Sequence, residues 1–373
     1  MISSKERLYG IDLLKFIAAL GIALHHFYQV TGYESLEFLG NGGYLVELFF
    51  MISGYLAMNS YEKTRSLSFS EYFSNKASRI YPISIIAVLA MVIIEMTFFI
   101  MTGSFWGQWG MQEISYWRII VNCLLLFGGG PVGNVEMGIV NPLWYLCVLF
   151  VCELLFWLFV KVANRKKVSV NYFFVLMIMV GLCLYTYSGV QSGIGQMDII
   201  NIYPAKIPFI NTSMARGYAT FFLGCVLFEF HRSMEKKVLW ICSFIGIFMF
   251  MFPYISGYEF LIDGINYSLV VLLYPSLIFI FSKGKVINKI CCNSFVIFLG
   301  AVSFEMYVWH VHIYTVQGMT EICGYNTSDR LNMLIYVILT IIISTIMYLF
   351  VEKRVNRFTN NRLNIFFEKL LER

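Results

Sequence analysis

The sequence predicts an all-α, polytopic membrane protein with about ten transmembrane helices. Of its 373 residues, 59% are hydrophobic and 13% are charged, and the mean hydropathy is +0.71. A soluble domain is less apolar and more charged. No long polar stretch separates the apolar runs, so we expect residues 1–373 to form one integral-membrane domain. The runs lie at about 8–30, 42–60, 80–101, 116–127, 142–160, 171–188, 213–230, 238–254, 265–282, 293–316 and 331–350.

The first apolar run carries the most informative polar residues. It is long enough to span a bilayer, yet it contains Asp12, Lys15, His25 and His26. A retained span is therefore predicted rather than a cleaved leader. Lys15 and His26 are eleven residues apart, which is about three helical turns, so they share one face. Asp12 is within i,i+3 reach of Lys15 and can offset the cost of burying the ammonium group.

The positions of the basic residues predict which connections are cytoplasmic. Most of the 27 lysines and arginines fall in alternate connections if the run 116–127 does not cross the membrane. This alternation predicts ten crossings, with a cytoplasmic N-terminus and a cytoplasmic basic tail at 351–373. The run 116–127 is too short to span and is expected to be a re-entrant or interfacial helix on the outer side. The long connection 189–212 contains a single basic residue, Lys206, and should face outward.

This orientation predicts the depth of the remaining polar residues. His26, Glu47 and His310 should lie near the outer side, whereas Lys76 and Arg79 should lie where the third span leaves the cytoplasm. Within the run 293–316, the spacing places Ser303, Tyr307 and His310 on one helical face, with Glu305 and His312 elsewhere. Basic groups are thus expected inside, and acid–base groups outside. Arg216 lies in the outer half of its span, with no partner evident from the sequence.

Metal chemistry is not indicated. The nine cysteines form no CxxC pair, and the five histidines form no HExxH motif. The cysteines are expected to act as small core hydrophobes.

Five motifs in order resemble those of the acyltransferase-3 family of membrane acyltransferases. Lys15 and Lys76 stand where that family usually has arginine, and Glu47 stands where it often has aspartate. The motifs are Asp12-x-x-Lys15-x10-His26, Glu47-Leu-Phe-Phe-x-x-Ser53-Gly54, Lys76-x-x-Arg79-Ile-Tyr-Pro82, Pro142-Leu-Trp144-Tyr145-Leu, and Ser303-Phe-x-x-Tyr307-x-Trp309-His310.

The resemblance implies transfer of an acyl group, most often acetyl, from cytoplasmic acyl-coenzyme A. The acceptor would be a hydroxyl group of a surface glycan or of its lipid-linked precursor at the plasma membrane. A sugar hydroxyl needs a general base with a pKa near neutrality, which suits a histidine. We expect His26 to be that base, with His25 as a fallback and with Glu47 or Tyr307 orienting the ring. A covalent acyl-histidine intermediate is an alternative to direct transfer.

Further roles follow for the other candidates. Lys76 and Arg79 would bind coenzyme A phosphates, and Lys15 would bind the donor or stabilise the oxyanion. The remaining expected substrate contacts are Trp144, Tyr145, Ser303, Tyr307 and His310. No metal and no nucleic acid is expected to take part; the lipid bilayer is the setting.

Alternative interpretations remain at this stage. Ten spans with buried ionisable residues also describe a proton-coupled transporter or a subunit of a glycan export complex. Basic side chains can anchor a span, aromatic side chains can form an interfacial belt, and buried acids and histidines can pack helices together. These structural readings apply to Lys15, Lys76 and Arg79, to Trp144 and Tyr145, and to Glu47, His26 and His310.

Overall fold

The protein is helical throughout the part of the chain that its computed structural model describes. These residues are 7–105, 114–128, 138–191, 209–256, 269–322 and 328–371, and no β-strand occurs among them. Most of the connection 189–212, including Lys206, lies outside the described residues. Each apolar run of the sequence contains a helix, as predicted. The helices are α1 Tyr9–Thr31, α2 Leu45–Asn59, α3 Tyr61–Ser66, α4 Phe69–Thr102, α5 Tyr116–Cys123, α6 Trp144–Lys166, α7 Asn171–Gln191, α8 Thr212–Ser233, α9 Lys236–Ser256, α10 Tyr274–Lys283, α11 Lys285–Cys291, α12 Ser294–Ile322, α13 Asp329–Ile346 and α14 Lys353–Leu371.

Five helices among the described residues are long and apolar enough to cross a membrane, and α10 with α11 makes a sixth if that bent pair is one span. The two helices of the pair meet at an angle of 67°. The five are α1, α4, the segment Asn141–Lys166 that ends in α6, the segment Ser294–Met319 of α12, and the segment Asp329–Leu363 that begins with α13. The predicted total of ten crossings stays a prediction.

Apolar side chains cover much of the outer surface of these helices. Ile93 and Ile100 of α4, Leu176 of α7 and Phe244 and Phe248 of α9 are each more than half exposed. Water would penalise such a surface, whereas lipid chains solvate it. The fold is therefore that of a membrane protein.

The two ends of α4 follow from local sequence. At its start, Ser68 and Glu71 form a capping box, in which the serine hydroxyl accepts from the Glu71 backbone and the glutamate accepts from the Ser68 backbone at 2.7 Å. At its end, Gly103 has φ +76°, a left-handed conformation that glycine adopts without strain. The resulting helix is 34 residues long, so Lys76 and Arg79 lie within its first turns rather than before it.

Close helix pairs form the centre of the molecule. α1 packs along α12, and α2 packs along α8. Gly300 of α12 faces Asp12, and a Cβ atom at Gly300 would stand 2.8 Å from the Asp12 Cγ. Gly54 of α2 faces the backbone of Phe221, so the two helices pack closely at this point. The first contact sets the distance between α1 and α12, and the second sets the distance between α2 and α8.

The short helix α5 matches the helix predicted within 116–127. It has only eight residues, and Ser115 caps its first turn by accepting a hydrogen bond from the Arg118 backbone at 3.2 Å. Tyr116 is 88% exposed and Trp117 is 57% exposed. A helix this short does not span a bilayer, and aromatic side chains of this kind favour the membrane interface.

Candidate functional site

The polar residues near the start of α1 form an ion-paired group. The Lys15 Nζ lies 2.8 Å from the Asp12 Oδ1, and the Arg7 Nε lies 2.9 Å from the Asp12 Oδ2. The expected i,i+3 pair is therefore present. Asp12 is mostly buried, and the two cations compensate its charge. The side chain of Lys15 is 22% exposed.

Lys15 borders a cavity of about 470 Å³, a volume that falls in the usual range for small-molecule sites. Helices α1, α2, α4, α6 and α12 all contribute to its wall. Six of the predicted site residues line it: Lys15, Lys76, Arg79, Tyr145, Ser303 and Tyr307.

Charge in this cavity is mainly positive. Among the described residues, its lining includes the basic side chains Lys15, Lys63, Lys76 and Arg79, and one carboxylate, that of Glu153. Within that same part of the chain, neither Lys63 nor Arg79 has an ion-pair partner, and the Arg79 guanidinium lies 5.7 Å from the centre of the Phe304 ring. A cavity with this balance attracts anions.

Glu153 binds one of these cations directly. Its Oε1 accepts from the Lys76 Nζ at 2.5 Å, and its Oε2 accepts from the hydroxyl of Tyr72 at 2.5 Å. Glu153 is nearly buried, whereas the Lys76 side chain is 31% exposed. The carboxylate thus holds the ammonium group of Lys76 at the wall of the cavity.

The opposite end of the cavity is aromatic. The hydroxyl oxygen of Tyr145 lies 3.3 Å from the hydroxyl oxygen of Ser53. Tyr307 donates to the carbonyl oxygen of Pro142 at 2.5 Å. Both tyrosine rings also contact Phe49, with ring centres 6.0 and 5.9 Å apart. The cavity therefore ends against three aromatic rings, two of which are hydrogen-bonded to neighbouring segments.

His26 and His310 meet just beyond this aromatic end. Their rings are stacked, with centres 5.3 Å apart, and the ring of His310 lies 5.9 Å from that of Tyr307. His310 Nδ1 is 3.1 Å from the carbonyl oxygen of Met306. A carbonyl can only accept, so Nδ1 carries a proton, and in the neutral imidazole Nε2 keeps a lone pair. Within the described residues that buried Nε2 has no hydrogen-bond partner.

The face predicted for α12 is present in the structure. Ser303 and Tyr307 line the cavity, and His310 continues the same face toward His26. Glu305 and His312 point elsewhere: Glu305 accepts from the Trp309 indole at 2.8 Å, and His312 Nε2 donates to the Ala87 carbonyl oxygen at 2.8 Å.

His25, the fallback base, is packed differently from His26. Only 2% of His25 is exposed, and its Nδ1 donates to the carbonyl oxygen of Leu39 at 3.3 Å. The His25 Nε2 lies against Gly43, where an added Cβ would stand 2.8 Å away. These contacts suit a residue that positions the segment after α1.

Glu47 binds Arg216, which the sequence had left without a partner. The Arg216 Nε lies 2.5 Å from the Glu47 Oε1, and its Nη2 lies 3.1 Å from Oε2. Both side chains are almost fully buried. The guanidinium also lies 4.8 Å from the centre of the Trp144 ring. Glu47 and Trp144 are therefore part of a buried cluster around Arg216, and neither lines the cavity.

Two residues beside Lys76 in the site escaped the sequence analysis. Glu153 and Tyr72 stood inside apolar or weakly polar stretches with no motif around them. A charged residue within a predicted span was the available signal for Glu153, as it was for Arg216. No group of three or more histidine, cysteine or acidic residues that could hold a metal ion is found in the described ranges.

A helical membrane protein with a cavity lined by cations and tyrosines has the features of a small-molecule site within the membrane. The chain belongs to the acyltransferase-3 family, whose model, described as an acyltransferase domain, matches residues 8–349. The resemblance noted from the five motifs is thereby confirmed.

Curated relatives carry the same kind of name. Proteins named "putative O-acetyltransferase" from Staphylococcus aureus strains COL, MSSA476 and MRSA252 are each 24% identical to this chain. Each alignment covers 92% of this chain and 56% of the relative, so the chain spans little more than half the length of the curated relatives it matches. No solved structure matches.

Proposed function

We propose that this protein transfers an acyl group, acetyl by preference, from acyl-coenzyme A to a hydroxyl group of a surface polysaccharide or of its lipid-linked precursor. The observation that carries the proposal is the cation-lined cavity whose aromatic end adjoins, through Tyr307, the His26–His310 pair. Curated relatives with O-acetyltransferase names support the acetyl group and the oxygen acceptor.

The cavity is the proposed donor site. Coenzyme A carries a pyrophosphate and a further phosphate group, and Lys63, Lys76 and Arg79 would bind these anions. Lys15, deeper along α1, would lie closer to the thioester and would bind the donor or stabilise the oxyanion. The uncharged aromatic end suits the thioester rather than the phosphates.

His26 is the proposed general base. The hydroxyl oxygen of the acceptor attacks the thioester carbonyl carbon while His26 accepts the hydroxyl proton. The carbon–sulfur bond then breaks, and the thiolate of coenzyme A takes the proton from the imidazolium. The products are an ester and free coenzyme A. His310, stacked on His26 with its Nδ1 proton held by Met306, would position the base.

The proposed donor and acceptor lie on opposite sides of the membrane. Ten crossings with cytoplasmic termini would place Lys63 and Lys76 at the cytoplasm, where acyl-coenzyme A is made. The same orientation would place His26 and His310 toward the outer side, where the glycan acceptor lies. The protein would thus act at the plasma membrane and pass an acyl group between the two sides.

A genetic experiment tests this function. The surface polysaccharide of cells lacking the gene is purified, and its O-acyl groups are measured by proton NMR after complementation with wild type, His26→Ala or His25→Ala. The amount of each variant in the membrane is measured in parallel. His25→Ala is the matched control, because it removes the same side chain one residue away.

We expect wild type and the His25 variant, per molecule present, to restore the O-acyl signal, and His26→Ala to leave it absent. Acyl content that is unchanged by deletion of the gene would contradict glycan acylation and would favour a transporter or another acceptor. Equal activity of His26→Ala and wild type would contradict the assignment of the base.

A further inference from the structure

Three aromatic rings meet at the end of the cavity that lies away from Lys63 and Lys76. Phe49 of α2, Tyr145 of α6 and Tyr307 of α12 contact one another in all three pairs, with ring centres 5.2 to 6.0 Å apart. All three line the cavity, and each is at most 9% exposed. We call these three residues the aromatic layer.

The aromatic layer lies between the cavity and the histidines. Tyr307 touches both, because it lines the cavity and its ring centre is 5.9 Å from that of His310. His310 in turn stacks on His26, and neither histidine lines the cavity. Along α1, Ala18, Ala19 and Ile22 lie between Lys15 and His26 in the sequence, and all three are buried. A group that moves from the cavity to His26 by way of Tyr307 and His310 therefore passes the aromatic layer.

The three rings are held to different degrees. Tyr307 is fixed by its hydrogen bond to the Pro142 carbonyl oxygen at 2.5 Å, and Tyr145 is fixed by its contact with the Ser53 hydroxyl at 3.3 Å. Phe49 has no polar atom and is held by packing alone. Of the three, Phe49 is therefore the ring whose size can be changed without breaking a hydrogen bond.

We propose that the aromatic layer sets the size of the acyl group that the protein transfers, with Phe49 as the specificity-determining side chain. This inference rests on the proposed function. A two-carbon acetyl group needs little space between the rings, whereas each further methylene must displace part of the layer. Discrimination by a packed apolar site amounts to roughly ten- to two-hundredfold per methylene.

Competition between two donors tests the aromatic layer. Purified wild type, Phe49→Ala and Phe49→Leu are given equal amounts of acetyl- and butyryl-coenzyme A together with acceptor membranes from cells that lack the gene. The acyl groups transferred to these membranes are identified by mass spectrometry. Phe50→Leu is the matched control. Phe50 also contacts Tyr145, with ring centres 4.5 Å apart, but it does not line the cavity.

We expect wild type to transfer mainly acetyl groups, and Phe49→Ala to raise the butyryl-to-acetyl product ratio at least tenfold. Phe49→Leu, which keeps more of the packing, should raise the ratio by less, and Phe50→Leu should leave it unchanged. The ratio is read from product, so a smaller folded fraction does not alter it.

An unchanged ratio in both Phe49 variants would overturn the role of the aromatic layer, and so would an equal change in Phe50→Leu. A wild-type protein that transfers neither acyl group would overturn the proposed function itself. The two failures are distinguishable, because the first requires that wild type is active.

Discussion

At the scale of single residues, the charges inside the membrane are compensated in two different ways. Glu47 and Arg216 are sealed in the core by a two-point contact, whereas Lys76 shares Glu153 with Tyr72 at the edge of a cavity. A sealed pair contributes to folding, because either charge left alone in the core would be costly. A pair at a cavity wall can exchange partners with an anion that enters.

Removal of one partner from the sealed pair should destabilise the protein strongly. Glu47→Leu and Arg216→Leu should each cost about 3–5 kcal/mol, since each leaves an uncompensated buried charge. The double variant should recover much of that loss. Thermal unfolding of the detergent-solubilised protein measures the effect. A double variant that is as unstable as the sum of the single ones would contradict a mainly structural pair.

The native carboxylate of Glu153 should weaken the binding of coenzyme A. This carboxylate neutralises Lys76, so a phosphate group has to displace it before it can bind that lysine. Glu153→Gln should therefore bind coenzyme A more tightly, by roughly fivefold, the scale of a partly exposed charge pair. Tyr72→Phe is the control, because it removes a hydrogen bond to Glu153 and keeps the carboxylate. Calorimetry measures the affinities, and weaker binding by Glu153→Gln would contradict the exchange.

Sequence could predict the residues along one helix better than those that meet across helices. The pair Asp12–Lys15 and the face shared by Ser303, Tyr307 and His310 follow from helical spacing, and the structure has both. The contact of Glu47 with Arg216 joins residues 169 positions apart. Spacing within one helix carries no information about such a partner, because tertiary packing determines it.

At the scale of helices, the site depends on how closely α1 approaches α12. Gly300 is the residue of α12 that lies against Asp12, and it also borders the cavity. Small residues at helix contacts let two backbones come together in a membrane. The position of Lys15 relative to Ser303 and Tyr307 is therefore set by a residue that has no side chain.

A larger side chain at Gly300 should separate these helices. Gly300→Leu should destabilise the protein by about 1–3 kcal/mol, as overpacking does, and should reduce coenzyme A affinity. Val316→Leu on the same helix is the control, because Val316 is 44% exposed and should be neutral. Thermal unfolding and calorimetry provide the readouts. A Gly300→Leu protein with unchanged stability and affinity would contradict the importance of this contact.

At the scale of the whole molecule, apolar runs predict the helices well and the crossings less directly. Each run contains a helix, but helices such as α2, with 15 residues, are short for a bilayer. α8 is long enough at 22 residues, but it carries Arg216 and several small polar residues. Polar side chains of α2 and α8, such as Glu47 and Arg216, contact one another rather than lipid. Hydropathy alone therefore underestimates the tendency of such helices to lie in a membrane.

Accessibility of single cysteines should reveal the orientation. In a cysteine-free protein, Glu34→Cys should react with a membrane-impermeant maleimide in intact cells, because the basic-residue pattern places it outside. Lys166→Cys should react only after permeabilisation. Both side chains are exposed in the structure. Reaction of Lys166→Cys in intact cells would contradict cytoplasmic termini and the proposed direction of transfer.

The central claim is that donor binding and acyl transfer use different residues, the cavity for the first and His26 for the second. The most direct measurement follows purified wild type and His26→Ala with acetyl-coenzyme A and acceptor membranes from cells that lack the gene. Affinity for coenzyme A and release of its thiol are measured on the same preparations. We expect equal affinity and a transfer rate reduced by about 10²–10⁴-fold in the variant, the usual contribution of a general base. A variant that transfers at the wild-type rate, or one that loses affinity and rate together, would contradict this division.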